Sequence, residues 1–229
     1  MQRIPEPELM LDLDQAKAYA EADFAAPHQQ IANRFGETFP GLALTGTVLD
    51  LGCGPADLLI RFARAWPEAH FHGIDGSTAM LAEGTTAIAN QSLDSRISLH
   101  KQLLPASALP LPTYQAVISN SLLHHLHHPE VLWQTIKQAS APGTAIYITD
   151  LRRPESTRQA QNLVDTYASS EPAVLREDFY HSLLAAFTPV EIQQQLDDAG
   201  LTGLQIEITS DRHMQISGYM PGMAEAPAS

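Results

Sequence analysis

The chain has 229 residues and carries 13 Lys plus Arg against 26 Asp plus Glu, a formal net charge of −13. With no basic surplus to displace counterions, extended nucleic acid is excluded as the main partner, and an anionic membrane surface is disfavoured; a local basic pocket for a small anion is not excluded. The length suits one large domain or one domain with an insertion, and the lone cysteine, Cys53, has no mate for an internal disulfide, which fits a reducing compartment.

Residues 1–45 read as a helical leader. Pro5 and Pro7 keep its start extended. Residues 1–8 are polar and acidic, without the apolar core of a signal peptide, and no apolar run in the chain reaches membrane-spanning length. The expectation is a cytoplasmic protein with no membrane partner. A first helix is predicted over 14–24, with Pro27 interrupting it, and a second over 28–39, closed by Pro40 and Gly41. These helices either pack outside a sheet or form a lid, with Tyr19, Asp23 and Phe24 facing a pocket.

Residues 47–57 read as a buried strand, a tight glycine turn and the start of a helix. Val48, Leu49 and Leu51 form the apolar run of a strand covered on both faces. Gly52 and Gly54 let the backbone turn sharply and approach a ligand. Leu58, Leu59, Phe62, Ala63 and Trp66 then recur at helical spacing. Asp50 lies at the strand's carboxyl end, where open α/β sheets bind ligands.

A second strand over 70–75 ends in Asp75, followed by Gly76 and Ser77, a predicted N-cap. An acid in that position suits a ribose diol, whose two hydroxyl protons one carboxylate accepts. A third strand is predicted over 96–100, a proline-rich loop over 101–112 and a fourth strand over 114–119. A helix over 129–139 and a fifth strand over 145–150 follow. Such regular alternation predicts a doubly wound, mostly parallel sheet. Residues 151–187 break the pattern with two helical stretches, about 156–167 and 178–186, read as an insertion. Thr188 to Glu191 is a capping box opening a helix that stops near Gly200. Strands over 205–210 and 214–219 form a hairpin through Asp211, Arg212 and His213, whose charges read as ordinary exposed turn chemistry, and 221–229 is a tail.

The glycine turn, Asp75, the apolar fourth strand with Asn120 after it and the terminal hairpin together resemble class I S-adenosylmethionine-dependent methyltransferases over residues 46–220. The resemblance implies a seven-stranded Rossmann-like sheet whose C-terminal strand is antiparallel. The stretch 119–129 is similar to the branch acting on small molecules. The implied cofactor is S-adenosyl-L-methionine, with S-adenosyl-L-homocysteine as product. Asp50, Gly52, Cys53 and Gly54 would then meet the methionyl group, Asp75 and Gly76 the ribose, Met80, Gln102 and Leu103 the adenine, and Asn120 or Ser121 the methionine moiety or the acceptor. Two departures stand out: Ala56 replaces the family's third glycine, and Gln102 stands where an acid commonly precedes the adenine loop. A dinucleotide-oxidoreductase reading fails at Asp57, where its motif requires glycine. A regulatory protein that binds the cofactor without turnover is the alternative from another class.

Four histidines, His124, His125, His127 and His128, fall within five residues. On a helix, His124 and His128 would have metal-ligand spacing, but no carboxylate cluster lies nearby in sequence, and no metal is expected. His124 or His125 is a candidate general base or substrate contact. Tyr180 is a candidate for both catalysis and acceptor binding. Asp150, Arg152 and Tyr19 are further acceptor candidates; Arg152 and Arg153 either clamp an anionic group or pair with Glu155 or Glu177 on the surface. The oligomeric state, the acceptor and the attacked atom are not legible.

Overall fold

The computed structural model describes residues 1–6, 19 and 24–222. The helix expected over 14–24, apart from Tyr19 and Phe24, and tail residues 223–229 lie outside them. The elements run α1 (Ala25–Thr38), β1 (Thr47–Leu51), α2 (Asp57–Ala65), β2 (His70–Asp75), α3 (Thr78–Asn90), β3 (Ile97–Lys101), β4 (Ala116–Asn120), a 3₁₀ turn (Leu123–His125), α4 (Glu130–Ala139), β5 (Ala145–Leu151), α5 (Thr157–Tyr167), α6 (Ala173–Ala185), α7 (Pro189–Ala199), β6 (Gln205–Ile208) and β7 (His213–Tyr219).

The strands form one seven-stranded sheet of order β3-β2-β1-β4-β5-β7-β6. Strands β1 to β5 pair in parallel, and β7 is antiparallel to both β5 and β6. Side chains alternate across the sheet and feed two cores. Val48, Ile118 and Tyr147 join Phe35, Phe62 and Phe71 beneath α1, α2 and α3. Leu49, Val117, Ile146 and Ile148 face the other way, against Trp133, Ile136, Ile192 and Leu196 of α4 and α7. Helices α5 and α6 pack on each other and on Leu151 through Leu163, Val164, Leu183 and Leu184. Strand order reverses between β1 and β4, so a crevice opens at their carboxyl ends, the usual binding place in such sheets.

Several boundaries differ from expectation for local reasons. The helix expected from 28 begins at Ala25, and Pro27 sits in its first turn, where its missing N–H removes no bond. Helix α6 starts at Ala173, five positions before the expected 178, because Pro172 sets the boundary and its carbonyl accepts from Arg176. Residues 123–125 form only a 3₁₀ turn and α4 begins at Glu130, so His124 and His128 share no helical face. The Thr188/Glu191 capping box and the left-handed Gly200 stop of α7 both form.

Candidate functional site

The turn after β1 is held from behind by Ile74, whose carbonyl accepts from the N–H groups of Gly52 (2.8 Å) and Cys53 (3.0 Å). Gly54 has φ of +50°, and a Cβ there would have no neighbour within 4 Å, so its backbone is bare toward the crevice. Ala56, in place of a third glycine, adopts φ of +63° at the head of α2, a left-handed conformation costing about 1 kcal/mol. Asp57 turns its carboxylate to His28 Nδ1 (2.7 Å) and to Arg61, which donates from Nε (2.8 Å) and Nη2 (3.1 Å). Against the upward push of burial, these two partners hold Asp57 below its usual range.

Two acids line this end from neighbouring strands. Asp50 is buried, and its Oδ1 has no hydrogen-bond partner. Burial, with the charge of Asp75, pushes Asp50 well up. Asp75 accepts from the Gly54 N–H at 2.9 Å through Oδ2 and from the Ser77 N–H at 2.7 Å through Oδ1. Burial still leaves it raised, against the pull of these donors. A cation placed between the two acids would relieve both. Cys53 lies alongside; burial and both acids push its thiol well up, so it is no nucleophile.

A cavity of about 400 Å³ holds Asp50, Gly52, Cys53, Gly54 and Asn120. It merges, through Tyr19, Phe24, His28 and the glycines, with one of about 570 Å³. Asp75, Gly76, Met80, Gln102, Leu103 and Ser121 line that second space. Every expected cofactor residue therefore borders one continuous crevice. The Gln102 Oε1 is buried without a partner, an acceptor suited to an amino group. Asn120 Oδ1 is already taken by the Thr149 hydroxyl at 2.8 Å. Tyr19 and Phe24 stand over the crevice with ring centroids 4.9 Å apart, and burial pushes the Tyr19 phenol up to about 12. The third residue expected there, Asp23, lies outside the described residues.

The acceptor side departs further from expectation. Asp150 does not line the crevice; it is buried within β5 and accepts from His124 Nδ1 (2.5 Å), Leu151 N (2.6 Å) and Leu123 N (2.7 Å). Its job is to orient the histidine turn. The imidazole and the donors hold Asp150 below its usual range although burial pushes the other way. Burial would lower His124, but Asp150 and Glu6 outweigh it and leave it raised. Both His124 and His125 line the crevice. Arg152 does not: it extends the sheet in a bridge to Phe187, its N–H given to Arg212. Arg153 neither clamps an anion nor pairs with Glu155 or Glu177; buried, it bonds Glu191 at 2.6 Å. Tyr180 packs against the α5/α6 core and does not line the crevice; Leu175, Asp178, Phe179 and Ser182, one turn apart on α6, do line it, Phe179 touching that core as well.

Sequence reasoning missed two contributors. Residues 1–6 lie across the histidine turn: Arg3 donates to the carbonyls of Ala185 (2.5 Å), His124 (2.8 Å) and Leu126 (3.0 Å) and stacks on Phe187, and Glu6 stands beside His124 and His125. The 211–213 hairpin tip is not merely exposed turn. The Arg212 guanidinium lies 3.3 Å over the Tyr167 ring, Tyr167 donates to Asp211 at 2.8 Å, and Arg212 and His213 line the crevice. No local pattern signals either contact.

Among the described residues, no helix is long and apolar enough to cross a membrane. A family model described as a methyltransferase domain matches residues 19–206. A trans-aconitate 2-methyltransferase of Methylobacterium nodulans is 27% identical over 131 residues, 57% of this chain and 47% of that protein. One from Mycolicibacterium gilvum is 29% identical over 158 residues, 68% and 57% of the two chains. The chain thus spans about half the length of the curated relatives it matches. A SAM-dependent methyltransferase structure from Aquifex aeolicus has a TM-score of 0.66 at 16% identity, covering 91% of this chain and 98% of that one. Human N-acetylserotonin methyltransferase in complex with SAM gives 0.64 at 16% identity, covering 92% and 56%. At such identities the likeness shows the fold alone.

Proposed function

The chain belongs to the methyltransferase-domain family, and on that premise we propose that it transfers a methyl group from S-adenosyl-L-methionine to a small molecule. The observation that carries the reading is the pair of acids, buried Asp50 and half-buried Asp75, beside the bare backbone of Gly54. Asp50, with an unused buried oxygen, is suited to the methionyl ammonium. The N–H groups of the first turn of α2, which begins at Asp57 beside the crevice, suit its carboxylate. Asp75 keeps lone pairs for the ribose hydroxyls after its two backbone bonds. Gln102 Oε1 and Met80 frame a place for the adenine.

When bound, the cofactor supplies a methyl group already activated by the sulfonium charge. The chain's remaining task is to hold an acceptor about 3 Å from that methyl and to keep water out. Tyr19, Phe24 and Phe179 provide apolar cover, and His124 and His125 are the polar groups at the acceptor end. The relatives named for trans-aconitate do not bring their substrate with them: Arg34 and Arg212, which line the crevice, already face Glu207 and Asp211. We place the enzyme in the cytoplasm, supported by its single cysteine.

Calorimetric titration with S-adenosylhomocysteine tests the cofactor half: micromolar binding is expected, and none by the intact protein would sink the proposal. Methyl-labelled S-adenosylmethionine, incubated with a metabolite extract and read by mass spectrometry, tests turnover. Binding without any labelled product would favour the regulatory alternative.

A further inference from the structure

We propose that Glu6, His124 and His125 form a binding site for one divalent transition-metal ion at the acceptor end of the crevice. Their ligand atoms all lie within 4.8 Å of one another. Glu6 Oε1 stands 3.6 Å from His124 Nε2 and 3.2 Å from His125 Nδ1. Ligand atoms about 2.0–2.1 Å from a tetrahedral ion stand about 3.3 Å apart. The carboxylate oxygen is therefore already near coordinating separation from both imidazole nitrogens.

Three further features point to an ion rather than to a chance cluster. The Glu6 side chain is only 10% exposed, yet its Oε1, aimed at the two imidazoles, makes no hydrogen bond. Asp150 accepts from His124 Nδ1, so the neutral imidazole carries its proton there and turns its Nε2 lone pair toward Glu6. A carboxylate behind the far nitrogen of a histidine is how metal-ligating imidazoles are oriented. The Glu6 backbone is fixed as well: its carbonyl is bonded by His127 Nε2 at 2.7 Å, and its Oε2 accepts from the Ser182 hydroxyl at 3.3 Å.

Two imidazoles and one carboxylate suit zinc, cobalt, nickel or ferrous iron rather than calcium or magnesium, which prefer oxygen. Because His124 and His125 line the crevice, the remaining coordination positions face the space where an acceptor would lie. The ion would be held by residues 118 to 119 positions apart in sequence, and by none of the groups assigned to the cofactor.

The test uses the full chain after chelator treatment. Cobalt(II) alone is titrated in, and the visible absorption band and a zinc calorimetric titration are read. One ion per chain is expected, with Glu6→Gln and His125→Ala each weakening it at least tenfold and Asp150→Asn weakening it 10- to 100-fold. Thermal melting checks that each variant folds; Glu6→Gln, on the strap outside both main cores, serves if His125→Ala does not. No binding by the wild type, or equal binding by the folded variants, overturns the proposal. The latter outcome would place the ion on another surface, such as exposed His128 and Glu130. A plain ion pair between Glu6 and the histidines predicts no cobalt band at all. S-adenosylhomocysteine binding by the same metal-free wild type is read separately, so failure of the metal site and failure of the methyltransferase reading are distinct results.

Discussion

Asp75 accepts the Gly54 N–H at 2.9 Å, so the acid ending β2 and the bare turn after β1 move as one piece. Losing that carboxylate removes the proposed ribose contact and unties the turn together. Asp75→Ala should weaken S-adenosylhomocysteine binding by about 10- to 100-fold, the range for losing hydrogen bonds to a charged group. Asp75→Asn should fall between the two, since the amide keeps one acceptor. Calorimetry on the three proteins checks the order; equal affinities would remove Asp75 from the site.

Gly73 is a packing requirement rather than a turn. A Cβ there would meet Cys53 Sγ at 2.7 Å and the Leu59 and Leu99 methyls at 2.8 Å. Gly73→Ala should cost about 1–3 kcal/mol by overpacking and push Cys53 toward the cofactor end. Denaturant unfolding together with cofactor titration should show both losses. Gly143→Ala meets nothing within 4 Å but must adopt a φ near +88°; it should lose about 1 kcal/mol with cofactor affinity unchanged.

Val48 to Gly54, Asp75, Ser77 and the Thr188/Glu191 box all act through neighbours within a few positions, or through a strand order that chain rhythm implies. Asp150 was misplaced for the opposite reason. Its position at a strand end suggested a ligand contact, whereas its partner His124 lies 26 residues upstream. Arg153 and Glu191 are 38 apart, and Arg3 lies 182 residues before Ala185. Pairings of this kind exist only once the sheet has brought the segments together, and no spacing rule encodes them.

The Arg153–Glu191 pair should matter for stability. Arg153 is 5% exposed and also donates to the Ala186 carbonyl at 3.2 Å; Glu191 is 41% exposed and caps α7. Glu191→Ala leaves a buried guanidinium short of its partner and uncaps the helix, a loss of about 2–4 kcal/mol, while Glu191→Gln, keeping an acceptor, should lose about half. Despite the upward push of partial burial, Arg153 and Thr188 hold the Glu191 carboxyl below its usual range. Its contribution is thus full above the ordinary carboxylate range and fades as pH falls through it. Urea midpoints for the three proteins at neutral pH and near pH 3 test both points.

His213 should give stability a second pH dependence. Burial, with Arg212 beside it, lowers its pKa to about 4, while Asp150 and Asp211 pull it upward and His124 downward. The unfolded chain, near 6.5, then takes up a proton that the folded chain refuses. Stability from this group is complete above pH 6.5 and declines as pH falls toward 4, by at most about 3 kcal/mol. His213→Asn should flatten that decline. The difference between wild-type and variant unfolding free energies, followed from pH 7 to 4, carries the signature; a constant difference would refute it.

The Arg3 strap finally sets an order of assembly. The carbonyls it grips belong to the histidine turn and to the end of α6, and the turn is itself pinned by β5. None of these exists as a surface until the long-range sheet pairing is complete. The strap therefore docks last, acting as a latch that closes only on a correctly registered sheet. Partly folded chains would carry the glycine turn but an unfinished acceptor end.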